Sequence, residues 1–162
     1  MREPDGVDRI LAQWAVERPD LETTAMGVFG RIQRIARIAS DAGERAYAAY
    51  GIGRPEFDVL ATLRRSGAPF RLSPGALAAS MMLSTGGTTA RLDRLEKAGL
   101  VARSPDPDDR RGVLVSLTEQ GFQVADQAVT AGLAEQQRLL AHLTPAQRSQ
   151  LADLLRAVLS GD

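Results

Sequence analysis

Apolar positions recur at helical spacing along most of this chain, and one short stretch alternates instead. Val7, Ile10, Leu11, Trp14 and Ala15 share one face of a helix predicted from Gly6 or Val7 to Arg18, with Asp5 as its cap and Pro19 as its stop. A long helix is predicted next, beginning near Leu21 to Thr24 and reaching about Tyr50. It carries Met26, Val28, Phe29, Ile32, Ile35 and Ile38 beside a small-residue set of Ala36, Ala39, Ala42, Gly43 and Ala46. An apolar stripe that wide predicts burial on more than one side, the second partner being another subunit. Pro55 opens a helix through Arg65 in which Phe57, Leu60, Ala61 and Leu63 face inward.

The stretch from Ser73 to Leu117 changes the period. Ser73 and Pro74 start a short helix through Ser80, and Ser84 caps a second that runs from Thr85 to Ala98, where Gly99 ends it. Leu92, Leu95 and Ala98 form its packing stripe, while Gly86, Gly87, Thr88, Thr89 and Ala90 keep its first turns slim enough for a major groove. Val101 to Ser104 and Val113 to Leu117 read as paired strands around a polar tip, Pro105 to Gly112. The order is that of a helix-turn-helix carrying a wing, in which Arg110 or Arg111 reaches the minor groove and a neighbouring carboxylate holds its guanidinium. Thr118 then caps a helix to about Ala141 with Phe122, Ala125, Val129, Leu133 and Leu140 inward. Thr144 and Gln147 box the start of a last helix bearing Leu151, Leu154, Leu155, Val158 and Leu159.

Composition narrows the function. The chain has 162 residues, 44% hydrophobic and 25% charged, the balance of one folded domain. Twenty basic residues face twenty acidic ones, so a surface that coats nucleic acid by bulk charge is excluded, and any DNA binding must rest on a few placed cations. There is no cysteine, hence no disulfide or thiol switch, and His142 stands alone, which leaves no usual metal site and no cofactor. No apolar run is long enough to span a membrane, and the expected location is cytoplasmic. Gly86-Gly87 lacks the spacing and the lysine of a phosphate loop, so an enzyme is not expected.

The run from Leu72 to Gly121 resembles the MarR family of winged-helix regulators. The matching residues are Asp109, Arg110 and Arg111 in the wing, the Arg-Leu-Glu-Lys-Ala-Gly-Leu-Val exit from Arg94 to Val101, and the Leu117-Thr118 step. The resemblance implies a mainly α fold with a small β-hairpin wing, and N- and C-terminal helices that form a dimerisation bundle. It divides one domain into residues 1–53 for dimerisation and a ligand pocket, 54–117 for DNA, and 118–162 for dimerisation. It implies Arg111 in the minor groove with Asp109 as its support, beside DNA contacts from Ser73, Ser84, Thr85, Gly87, Thr88, Arg94 and Arg110. A homodimer would set two reading helices roughly 34–36 Å apart on double-stranded DNA, which calls for a near-palindromic operator.

A branch of that family that responds to urate and related purines carries an extra amino-terminal helix with a tryptophan. Trp14 matches it, Asp58 matches an aspartate early in the helix before the helix-turn-helix, and Arg91 matches an arginine of the reading helix. The sequence departs at Ala90, where relatives often carry asparagine. The implied activity is a repressor released by a small anionic or aromatic effector such as urate or xanthine. A phenolic effector, or a winged-helix protein-interaction module without DNA binding, are the alternatives.

Overall fold

The computed structural model describes residues 3–81, 87–109 and 111–161. In order the elements are α1 (Gly6–Glu17), α2 (Thr24–Ala48), α3 (Arg54–Arg65), β1 (Arg71–Leu72), α4 (Pro74–Ser80), α5 (Thr88–Lys97), β2 (Val101–Pro105), β3 (Val113–Leu117), α6 (Glu119–Leu139) and α7 (Pro145–Leu159). The fold is mainly helical with a small antiparallel sheet, as expected. Four predicted caps are in place. Asp5 accepts from the Val7 and Asp8 amides, Ser73 from Ala76, Thr118 from Gly121 and Thr144 from Gln147. Each of these side chains satisfies an amide that the first helical turn leaves without an internal partner.

The chain forms two compact units, Met1–Asp41 and Ala42–Asp162, and the division falls inside α2. In the first, Val7 is the one buried residue of α1. It lies over Gly30, where a Cβ would stand 3.3 Å from its Cγ1. Arg31 reaches back from α2 to Asp5 at 2.9 Å and to Asp8 at 2.5 Å. The Asp8 amide, helped by Arg31 and the Val7 amide, draws the Asp5 carboxyl from 3.8 down to about 2. The stripe predicted for α1 is therefore not buried as a whole, and Ile10 and Trp14 are exposed on this unit.

In the second unit the core forms where α3 meets α5, α6 and the sheet. Val59, Leu60 and Leu63 of α3 are fully buried with Leu77, Leu92, Leu95 and Val115. Each such leucine contributes roughly 1.5–3 kcal/mol relative to leaving it in water. Two features depart from the sequence reading. The sheet has three strands in the order β1-β3-β2, because Arg71 and Leu72 pair with Ser116 and Val115. Also, α6 buries Ala125 as expected, but its other buried residues are Gly121, Ala128 and Gly132 rather than Val129 and Leu133. Small residues are required on that face because the backbones approach closely: a Cβ on Gly121 would stand 1.8 Å from the Leu100 carbonyl oxygen. The first half of α6 thus belongs to the core of the winged unit, which is not complete without it. Helix α7 buries no residue at all.

Candidate nucleic-acid interface

The reading unit is α4, α5 and the β2–β3 hairpin. Ser73 and Pro74 start α4, and its Leu77 and Ala78 are buried, which seats it on the core. Gly87, with a φ of +101°, precedes α5 in a conformation that an L side chain rarely adopts. The predicted start at Thr85, with Ser84 as its cap, lies outside the described residues.

Helix α5 buries Thr88, Leu92 and Leu95, at i, i+4 and i+7. This sets the phase of the whole helix. Thr88, expected at the DNA, is 5% exposed and faces the core, and its Oγ1 has no hydrogen-bond partner among the described residues. Ala98, expected on the packing stripe, is exposed, since the inner row has already passed it. Thr89, Ala90, Asp93 and Lys97 are exposed instead.

The charges of α5 are sorted by neighbouring elements. Arg94, expected at the DNA, gives its Nε and Nη2 to Glu56 Oε1 of α3 at 2.8 and 2.7 Å. Burial works to raise the Glu56 carboxyl, but the Arg94 hydrogen bond and charge hold it below the ordinary range. Arg103 of β2 donates to Asp93 at 2.6 Å and to Glu96 at 3.0 Å. Sequence reasoning missed Glu56 and Arg103. No helical or strand spacing relates 103 to 93 and 96, and only the fold-back after Gly99 brings them together. Among the described residues, Arg91 and Lys97 form no ion pair.

The wing is built around β3. Val101 to Pro105 of β2 run antiparallel to it, from Val101 opposite Leu117 to Pro105 opposite Val113. Its tip is tied by local turns. Asp106 accepts from the Asp108 amide and Asp109 from the Arg111 amide, both at 3.0 Å, and the Asp106 amide donates to the Gly112 carbonyl. Asp109 was expected to support the Arg111 side chain; the bond it makes among the described residues is to the Arg111 backbone amide, an Asx turn. Arg111 is exposed, and Arg110 lies outside the described residues.

Of the expected effector residues, Asp58 and Arg91 are half-buried on α3 and α5. Asp58 is bound by Arg54 at 2.9 Å and lines a cleft of about 290 Å³ with Thr62, Arg65 and Met81 among its other walls. Arg91 does not line that cleft. Trp14 lies in the other unit and is 40% exposed there. Among the described residues no group of three His, Cys, Asp or Glu is placed to hold a metal, and no helix is long and apolar enough to cross a membrane.

Two consecutive short helices followed by an arginine-tipped hairpin define a winged helix-turn-helix protein, a DNA-binding class. The MarR family profile matches residues 52–113. Over 152 residues the chain is 36% identical to the HTH-type transcriptional regulator PecS of Dickeya dadantii, a match covering 94% of this chain and 92% of PecS. The chain belongs to the MarR family and is a DNA-binding transcriptional regulator rather than an enzyme. A cysteine-to-serine mutant of E. coli MarR complexed with operator DNA is similar to it at TM-score 0.74 and 28% identity, covering 85% of this chain and 96% of that one. Sco3205 of Streptomyces coelicolor, in complex with DNA, shares the fold at TM-score 0.77 and 24% identity, over 87% of this chain and 89% of that one.

Proposed function

We propose that this regulator acts in the cytoplasm as a homodimer on a near-palindromic operator, and that it represses until a small anionic aromatic effector of the purine class releases it. The observation that carries the dimer is α7, whose Leu154, Leu155, Val158 and Leu159 all stay exposed on the surface among the described residues. A monomer that leaves such a row in water forgoes the burial that formed it. Two copies joined there present two wings and two α5 helices to successive grooves. Arg111 then enters the minor groove, and Ser73, Ser84, Thr85, Gly87, Arg110 and the outer side of α5 meet phosphates and base edges.

The effector reading rests on the coincidence of Trp14, Asp58 and Arg91. The match to PecS leaves about ten residues of this chain outside it, so all three positions fall within it. The resemblance assigns a planar anion to these three residues, and on this reading its binding is coupled to DNA release through α5. A tenfold loss of operator affinity requires about 1.4 kcal/mol of coupling, and the operator must weaken the effector equally.

The test is a mobility shift on the DNA upstream of the gene, with and without urate, xanthine and phenolic acids. Purine release that disappears when Trp14, Asp58 and Arg91 are each replaced supports the assignment. Release by phenolic acids alone transfers it to a phenolic effector. DNA binding that survives Arg111→Ala unchanged removes the wing from the mechanism, where the expected result is a loss of at least tenfold and a shallower salt dependence.

A further inference from the structure

We infer that Arg103 is a positioning residue for DNA recognition: it touches no DNA, but it holds Asp93 and Glu96 and offsets their charge, so that the acidic side of α5 does not repel phosphate. This rests on the DNA-binding reading of α5 and the wing. Arg103 lies directly opposite Val115 in the β2–β3 ladder, and Val115 is fully buried. Directly opposed residues of an antiparallel pair project from the same face, so Arg103 leaves the sheet on the core side. There it reaches α5 with both terminal nitrogens, one to each carboxylate.

The charge arrangement gives this contact a consequence beyond packing. Helix α5 carries Arg91, Arg94 and Lys97 against Asp93 and Glu96. Glu56 already engages Arg94. With Arg103 in place, one of the two acidic charges is offset, so these residues together with Glu56 carry a net charge of +1. Without it, the two acids cancel Arg91 and Lys97, and a helix facing a polyanion has no net charge to offer. Loss of that one positive charge beside a polyanion is expected to weaken binding by up to about tenfold at low salt.

A fluorescence-anisotropy titration of the full chain tests this, on a duplex that the wild type retains from a random pool. Arg103→Ala is expected to weaken binding about tenfold at low salt, with the defect shrinking as salt screens the exposed acids. Asp93→Asn with Glu96→Gln is expected to restore most of the loss when Arg103 is alanine. Recovery of that kind separates repulsion from support, because removing the partners cannot repair a missing strut. Failure of the triple variant to recover, with a thermal melt showing it folded, overturns the proposal, as does an Arg103→Ala chain that binds like wild type. A wild-type chain that retains no duplex removes the DNA-binding reading and this inference together.

Discussion

Helices α3 and α7 each carry leucines at helical spacing, yet Leu60 and Leu63 of α3 are fully buried whereas Leu154 and Leu159 of α7 are 60% and 76% exposed. The sequence pattern is the same in kind. What differs is the partner: α3 meets α4, α5, α6 and the sheet within its own chain, and α7 meets no comparable surface. Periodicity specifies which face of a helix is apolar, not what will cover it. The contrast separates the part of the molecule that folds around itself from the part that, on our reading, is held for a second copy.

The strongest way to break that contrast is to damage the self-contained side. Leu60→Ala removes a side chain from a fully buried site and is expected to cost about 2–5 kcal/mol, read as a shift in denaturant midpoint without a change of slope. The reciprocal change acts on association. Leu155→Asp with Val158→Asp places two carboxylates on the exposed row of α7, which touches none of the core. Light scattering is expected to show the mass falling from dimer to monomer, with the dissociation constant raised at least tenfold and helix content retained. A monomeric wild type, or an undiminished dimer in the variant, would remove α7 from the interface.

The same contrast sorts what could be read in the sequence from what could not. Caps were legible because they are local: Asp5, Ser73, Thr118 and Thr144 each bond an amide two or three residues ahead, whatever the rest of the chain does. The face of α6 was legible only in part: Ala125 lies on it as expected, but Leu133 does not, and the close approach at Gly121 demands the smallest residue. Strand β1 was invisible, since two residues cannot show an alternation. Within the site, the exposure of Arg111 could be anticipated from a tip too polar to pack. The pairing of Arg94 with Glu56 could not be anticipated, because those residues are 38 positions apart and meet only when α3 and α5 pack.

A smaller effect sharpens that last point. Glu56 is 15% exposed at the side chain, and its carboxyl titrates below its ordinary value of 4.5. A carboxyl depressed in the folded state stabilises fully above its unfolded value, and the contribution is lost as pH falls through the folded value. Arg94 is largely exposed, so the pair is worth less than about 1 kcal/mol. The stability difference between wild type and Glu56→Gln is expected to be present near pH 6 and to vanish below pH 4.5. A difference that grows on acidification would contradict the pairing.

The smallest expected change bears on where α5 turns its faces. Thr88 belongs to the inner row with Leu92 and Leu95, and its buried hydroxyl lacks a partner among the described residues. Burying a hydroxyl without a hydrogen bond costs free energy, while a methyl of nearly the same volume does not. Thr88→Val is therefore expected to be neutral or to stabilise by up to about 1 kcal/mol, and to leave operator affinity within twofold. The companion substitution Thr89→Val, on the exposed side of the same turn, removes a hydroxyl that can reach the DNA and is expected to weaken binding more than Thr88→Val does. If the order is reversed, so that Thr88→Val is the change that releases DNA, the helix presents its other face to the groove, and the assignment of Asp93 and Lys97 to the outer side fails with it.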